Sequence, residues 1–261
     1  MSKSVLIEVA GQVGTLTLNR PDQHNAFDAA LIAELSAALH KMNTDASVRI
    51  VILSATGKSF CAGADVAWMA RAANYGEEEN YQDAMQLADL MCTLNRLGKP
   101  TIARVHGSAF GGGLGLVACC DMAVATHNAS FALSEVRLGL VPAVISPYVI
   151  GRIGEGMARR YFLTSERFNA AEAYRIGLVN QVVASETELG QVIGQWIEAL
   201  LLGGPQAQKQ AKRLIASICS RPIMDALIQD TAERIAHVRA SPEGREGVAA
   251  FLEKRKPNWL Q

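Results

Sequence analysis

No surplus of either charge runs through this sequence: Lys plus Arg number 25, Asp plus Glu number 25, and the formal net charge at pH 7 is zero. No global field is available to draw in nucleic acid or an anionic membrane surface, so an anionic ligand must be held by local groups. Long hydrophobic runs are missing as well. Stretches such as Leu114 to Ala118 and Ala199 to Leu202 fall far short of the roughly 18 to 20 apolar residues that a membrane span needs, and a soluble protein is expected. The opening Met1-Ser2-Lys3-Ser4 and Val5 to Val9 carry neither the apolar core of a signal peptide nor the pattern of a transit peptide. The expected location is cytoplasmic. Cysteine is scarce: Cys61, Cys92, Cys119, Cys120 and Cys219 make an odd set with no C-x-x-C spacing. That argues against a disulfide framework or a zinc site and for reduced thiols in an intracellular protein. No Ser-His-Asp order, G-x-S-x-G elbow, P-loop, G-x-G-x-x-G run or His/Cys/Asp cluster occurs, so neither a nucleophile nor a metal site is expected.

What the chain does have is alternation of strands and helices. Its 261 residues suffice for one large domain. Val5 to Val9 and Val13 to Asn19 read as a hairpin around Gly11, and Thr15-Leu16-Thr17-Leu18 alternates with period two. Leu31, Ile32, Leu35, Ala38, Leu39 and Met42 follow the 3.6 period, which predicts an amphipathic helix over Asp28 to Lys41. Val48 to Leu53 and Thr101 to Val105 read as strands, Glu79 to Leu97 as a helix stopped by Pro100, and Met122 to Ala125 as a short strand. Beyond Gly151 strand signals nearly vanish apart from Leu178 to Val183. Asn169-x-x-Glu172 resembles a capping box, and Ser241-Pro242 reads as a helix start. The fold class is therefore α/β or α+β, with a helical tail placed against its own core or another subunit.

Three segments stand out chemically. In Ser59-Phe60-Cys61-Ala62-Gly63-Ala64-Asp65-Val66 a buried strand runs through small residues into a helix start, where free N–H groups can meet negative charge. Read alone, the segment is first of all a tight turn with Asp65 as a carboxylate at the helix N-terminus. His106 to Gly115 contains Gly111-Gly112-Gly113 directly before an apolar helix, a costly run unless the backbone bends sharply or touches something. Close helix-to-strand packing explains it as well as a ligand does. His106 alone reads as a core histidine and Cys119-Cys120 as small core residues. In Phe131 to Pro142 a single carboxylate, Glu135, sits in a mostly apolar stretch, where partial burial would raise its pKa toward proton transfer. The bland reading is a solvated glutamate, or one paired with Arg137. Taken together, two glycine-rich helix starts and one carboxylate have the makings of an oxyanion hole with a proton-transfer group.

These segments resemble the enoyl-CoA hydratase/isomerase (crotonase) family over nearly the whole chain. The resemblance runs from Asn19-Arg20-Pro21 and Asn25-Ala26-Phe27 through Phe60 to Asp65 and Gly107 to Gly113, and on to Ser134 to Pro142. It implies a crotonase-like spiral of ββα repeats over residues 1–195 and a helical C-terminal region, residues 196–261, that helps to build a homotrimer or a dimer of trimers. It assigns the oxyanion-hole N–H groups to Ala64 and Gly112 and acid/base chemistry to Glu135. Ala26, Ala62, Asp65, Val66, Phe110, Gly115 and Pro142 would line the acyl-CoA channel, with coenzyme A part of the substrate and no separate cofactor. Family hydratases usually carry a second glutamate where this chain has Gly115, so a Δ3,Δ2-enoyl-CoA isomerase using Glu135 alone is an alternative. Cys119 to Ala123, Leu133 to Arg137, Val141 to Pro147, Ser241 to Gly244 and Phe251 to Arg255 look like one branch of the family. That branch holds the bacterial 3-methylglutaconyl-CoA hydratases of leucine catabolism and the isohexenylglutaconyl-CoA hydratases of acyclic terpene degradation. The distal carboxylate of such a substrate would want a cation, for which Arg137, Arg152 or a second subunit are candidates. Ala67 lacks the lysine many relatives carry, which leaves Lys254 of a neighbouring subunit as a candidate for the CoA phosphates. Thioester hydrolases, decarboxylases and dehalogenases share the family fold, and some relatives bind RNA, which the balanced charge here disfavours.

Overall fold

A computed structural model describes residues 3–219 and 221–260. The first two strands, β1 (Val5–Ala10) and β2 (Val13–Leu18), form the expected antiparallel hairpin, with Gly11 at φ +56° in the turn. The period-two pattern of β2 buries Gly14, Leu16 and Leu18 and leaves Val13, Thr15 and Thr17 half-exposed. α1 (Ala29–Thr44) is capped by Asp28, whose side chain accepts from the Leu31 N–H at 2.8 Å, and it buries the six apolar residues of the 3.6-period stripe.

A repeating unit follows. β3 (Ile50–Ala55) runs into the short β4 (Ser59–Cys61), and α2 (Val66–Ala72) and α3 (Glu77–Asn95) come next. Then β5 (Thr101–Val105) runs into β6 (Ser108–Phe110) and α4 (Gly112–Cys119), and β7 (Met122–Thr126) into β8 (Ser130–Ala132) and a 3-10 turn at Glu135–Leu138. After α5 (Ser146–Thr164) come β9 (Phe168–Asn169), α6 (Ala170–Arg175), β10 (Gln181–Val183) and α7 (Glu186–Leu202). The long strands form a six-stranded sheet in the order β1-β2-β3-β5-β7-β10, parallel from β2 onward, and the short ones a second sheet in the order β4-β6-β8-β9. This is the ββα spiral. β3, β5 and β7 are covered on both faces, as parallel strands are. One face meets the main core with α1 and α3, and on the other Ile50, Ile52, Ile102 and Val124 meet Leu189, Val192 and Ile193 of α7.

Because β4, β6 and β8 pair in parallel, the segments leaving them emerge at one end of the small sheet. Those segments are 62–65, 111–112 and 133–135, the three singled out by sequence.

Residues 195 and 196, where the sequence divides the core from the helical tail, both lie inside α7. The apolar stripe of that helix continues from Leu189, Val192 and Ile193 to Trp196, Ile197 and Leu200 against the sheet, so the break in character comes after it, at Gly203-Gly204. Beyond lie α8 (Pro205–Ile218), α9 (Asp225–Ala240) and α10 (Pro242–Leu252). Among their described residues only Leu227 and Ala250 are buried. Lys212 ties α8 to the body through Asp121 (2.7 Å) and the Lys99 carbonyl (2.9 Å). Ser241 caps α10 as expected, and Asn169 caps α6, but the Glu172 side chain turns to Tyr161 and Arg175 and leaves that capping box half-made. No helix among the described residues is long and apolar enough to cross a membrane.

Candidate active site

A strap formed by residues 19–28 holds the segment after β4 in place. Its 3-10 turn, Pro21–Gln23, ends in His24 and Asn25, both with positive φ (51° and 55°), a conformation non-glycine residues adopt at a cost unless their surroundings fix it. Asn25 is fully buried and supplies that fixing. Its amide oxygen accepts from the Arg20 N–H (2.8 Å), and its amide nitrogen donates to the carbonyls of Thr56 (2.8 Å) and Ser59 (2.9 Å). The Phe27 N–H then donates to the Gly63 carbonyl (2.7 Å), and the Asp65 N–H to the Phe27 carbonyl (2.8 Å). Phe27 thus bridges the residues on either side of Ala64. In such a parallel bridge the N–H of the central residue points away from the partner, and the Ala64 N–H has no acceptor among the described residues.

The second wall is the start of α4. Gly111, at φ 49° and ψ −120°, donates its N–H to the Ala132 carbonyl (2.9 Å) and turns the chain from β6 into the helix. The helix opens at Gly112, whose N–H is one of the orphan donors of a first turn and has no acceptor among the described residues. There is no room here for side chains. A β-carbon at Gly63 would stand 3.1 Å from the Phe110 carbonyl oxygen, one at Gly112 2.9 Å from the Phe27 ring, and one at Gly113 2.3 Å from the Cys61 carbonyl oxygen. The glycine run serves close backbone packing and bare N–H presentation at once, so the two readings of it are not exclusive.

Glu135 completes the group. Its Oε1 lies 2.9 Å from where a Gly111 β-carbon would be, and its buried Oε2 has no hydrogen-bond partner among the described residues. Arg137 is exposed and, among the described residues, no cation pairs with Glu135. Burial pushes its pKa above the usual carboxylate value, offset in part by a backbone N–H. An unpaired, half-buried carboxyl of this kind is suited to take and return a proton. The two N–H groups beside it can hold an oxygen that gains negative charge.

The other candidates are spread more widely. Ala62 donates its N–H to the His24 carbonyl, and buried Ala26 offers its carbonyl to Arg20. Asp65 is committed elsewhere: one oxygen caps α2 through the Ala67 and Trp68 N–H groups, and the other meets Arg20 at 3.3 Å. Val66, in the first turn of α2, is 76% exposed. Phe110 is half-buried beneath the Arg167 guanidinium, 4.9 Å from the ring centroid. Gly115 and Pro142 are buried. Arg152 spends its guanidinium on the carbonyls of Cys120 and Asp121, which leaves it unsuited to a substrate carboxylate. Burial pushes the Cys61 and Cys120 thiols up to about 12, the range of inert core residues. His106 bonds the Gly57 carbonyl, and no described group of His, Cys, Asp or Glu is arranged to hold a metal ion. Sequence reasoning passed over Arg20. A lone arginine before a proline gave no sign that it would join Asp28 (2.9 Å), Asp65 and the Ala26 carbonyl.

Comparison with known proteins places this geometry in a family. The family described as enoyl-CoA hydratase/isomerase matches residues 8–261. A crotonyl-CoA hydratase of Syntrophomonas wolfei is 33% identical over 99% of this chain and 98% of that protein. A short-chain-enoyl-CoA hydratase of Clostridium acetobutylicum is 33% identical over 97% and 96%. The crystal structure of an enoyl-CoA hydratase from Shewanella pealeana superposes with a TM-score of 0.95 at 43% identity, covering 98% of this chain and 96% of that one.

A carboxyl whose pKa is raised in the folded state, as at Glu135, makes the native protein bind more protons than the unfolded chain above pH 4.5. Stability is then lost as pH rises through the folded pKa. Glu135→Gln is expected to unfold at higher urea concentration than the parent at about pH 8, with the gap closing toward about pH 4. A gap independent of pH would show that the carboxylate is not strained by burial.

Proposed function

The chain belongs to the enoyl-CoA hydratase/isomerase family, and from that premise we propose that it is an enoyl-CoA hydratase acting on a short branched substrate, 3-methylglutaconyl-CoA of leucine catabolism, in the cytoplasm. The observation that supports the hydratase chemistry is the Glu135 carboxyl set against Gly111, with one oxygen lacking a partner among the described residues, in a site where the Ala64 and Gly112 N–H groups also lack acceptors among them. The thioester carbonyl oxygen would accept from the N–H groups of Ala64 and Gly112. As water attacks the β-carbon, its proton passes to the Glu135 carboxylate, and the double-bond electrons move onto the thioester oxygen as an enolate. Glu135 then returns the proton to the α-carbon, so one carboxylate completes the addition and is regenerated. Each oxyanion donor is worth about 3 kcal/mol in comparable sites. Coenzyme A enters as part of the substrate, and no separate cofactor is invoked. The isohexenylglutaconyl-CoA of acyclic terpene degradation would use the same steps.

One observation favours a second reading. The space beside Gly115 is filled by apolar side chains, Ile145 and Met91, so position 115 has no room for a second carboxylate to hold water. A Δ3,Δ2-enoyl-CoA isomerase needs only one group to move a proton along the acyl chain, and Glu135 suits that role as well.

For the assembly we propose a homotrimer or a dimer of trimers built through the C-terminal helices. Ile215, Ile228, Ile235, Val248, Phe251 and Leu252 of α8 to α10 are each 49–82% exposed, apolar surface that contact with another subunit would cover.

Incubation with 3-methylglutaconyl-CoA, crotonyl-CoA and isohexenylglutaconyl-CoA, followed by mass spectrometry, is expected to show gain of one water on a branched substrate. Glu135→Gln should slow it by about 100-fold or more. Double-bond migration without water gain would select the isomerase, and full activity in the variant would remove Glu135 from the mechanism. Light scattering is expected to give three or six times the chain mass, and a monomer at micromolar concentration would refute the assembly.

A further inference from the structure

Side chains from elsewhere in the fold occupy the places that β-carbons would take along the first turn of α4. Glu135 stands at Gly111 and Phe27 at Gly112. At Gly115 a β-carbon would lie 2.3 Å from Ile145 Cγ2, 2.9 Å from Ile145 Cβ and 3.4 Å from Met91 Cε. The Gly115 N–H closes the turn on the Gly111 carbonyl (3.1 Å). Gly115 therefore lies on the turn next to Gly112, about 5 Å along the helix. The turn thus has the Glu135 carboxyl against Gly111 and a buried apolar pair, Ile145 (2% exposed) and Met91 (0% exposed), against Gly115.

Ile145 is built to stay where it is. It is the residue at the head of α5, which packs along α4, and its β-branched side chain has little rotamer freedom. The chain reaches it from Glu135 through a tight path, with the Leu140 N–H donating to the Glu135 carbonyl (3.0 Å) and the Ala143 N–H to the Val141 carbonyl (2.8 Å). One short segment thus sets both the carboxylate and the wall.

We propose that Ile145 is a specificity-determining residue: it closes the acyl side of the glycine platform and restricts the site to short acyl groups. Its methyl group stands where any side chain from position 115 would have to go, so no second carboxylate can join Glu135 from that position. The proposal rests on the reading that an acyl thioester is anchored at Ala64 and Gly112.

Binding of saturated butyryl-, hexanoyl- and octanoyl-CoA, which have no double bond to react, tests the wall apart from the chemistry. Calorimetry on the parent, Ile145→Val, Ile145→Ala and the double variant Ile145→Ala with Gly115→Ala should give these results. The parent prefers butyryl-CoA. Ile145→Ala shifts the octanoyl-to-butyryl Kd ratio by about tenfold toward the longer chain, and Ile145→Val shifts it in the same direction by less. Adding the Gly115 β-carbon to Ile145→Ala returns the ratio toward the parent value by refilling the vacated space. An unchanged ratio in Ile145→Val, which removes only one methyl group, would overturn the proposal even if the alanine variant failed to fold. A parent that bound none of the thioesters would instead overturn the acyl-CoA reading, and this inference with it.

Discussion

Two stretches of backbone touch where almost no sequence would let them. Gly63 lies against the Phe110 carbonyl, and Gly113 lies so close to the Cys61 carbonyl that a β-carbon would stand 2.3 Å from its oxygen. That contact requires bare backbone on both sides, and the rest of the site follows from it. The parallel pairing of β4 with β6 brings the two segments to one end of the small sheet. The Phe27 bridge aims the Ala64 N–H outward, and the cap at Gly111 leaves the Gly112 N–H without a helical partner. Donors fixed by backbone pairing need no rearrangement when charge develops on a bound oxygen, which is the condition under which such donors are most effective.

Glu135 works against stability where it stands. Among the described residues its buried Oε2 has no partner and no cation pairs with it, so ionisation in the folded protein is harder than in water. The large cores on both faces of the main sheet offset that strain, and the strain makes the carboxyl a ready proton acceptor and donor. Arg20 is engaged with Asp28 and Asp65. Glu135 has no ion pair among the described residues.

Much of this was legible in the sequence where one element carries its own signal. The stripe from Leu31 to Met42 declared α1, Thr101 to Val105 coincides with β5, and Gly111 marked the turn into α4. The small sheet was not legible as a sheet, because strands of three residues such as β4, β6 and β8 are too short to show a period. The division at residues 195 and 196 falls inside α7, because composition cannot show that the stripe of that helix stays on the sheet as far as Leu200. Asp65 was left between helix cap and channel, and only the structure shows both oxygens committed to capping and to Arg20. Glu135 stood out as one carboxylate in an apolar stretch, but its lack of a pairing cation is a fact of three dimensions. Ile145 filling the space of Gly115 joins residues far apart in the chain, and nothing local announces it.

Polarisation of a bound thioester carbonyl is the property on which the account turns. Isotope-edited infrared spectroscopy of a saturated acyl-CoA carrying a 13C-labelled thioester carbonyl, bound to the protein, measures it directly. The account predicts a carbonyl stretch displaced to lower frequency than in water, as two strong N–H donors at Ala64 and Gly112 require. A bound carbonyl with the frequency it has in water, or a higher one, would contradict the oxyanion site.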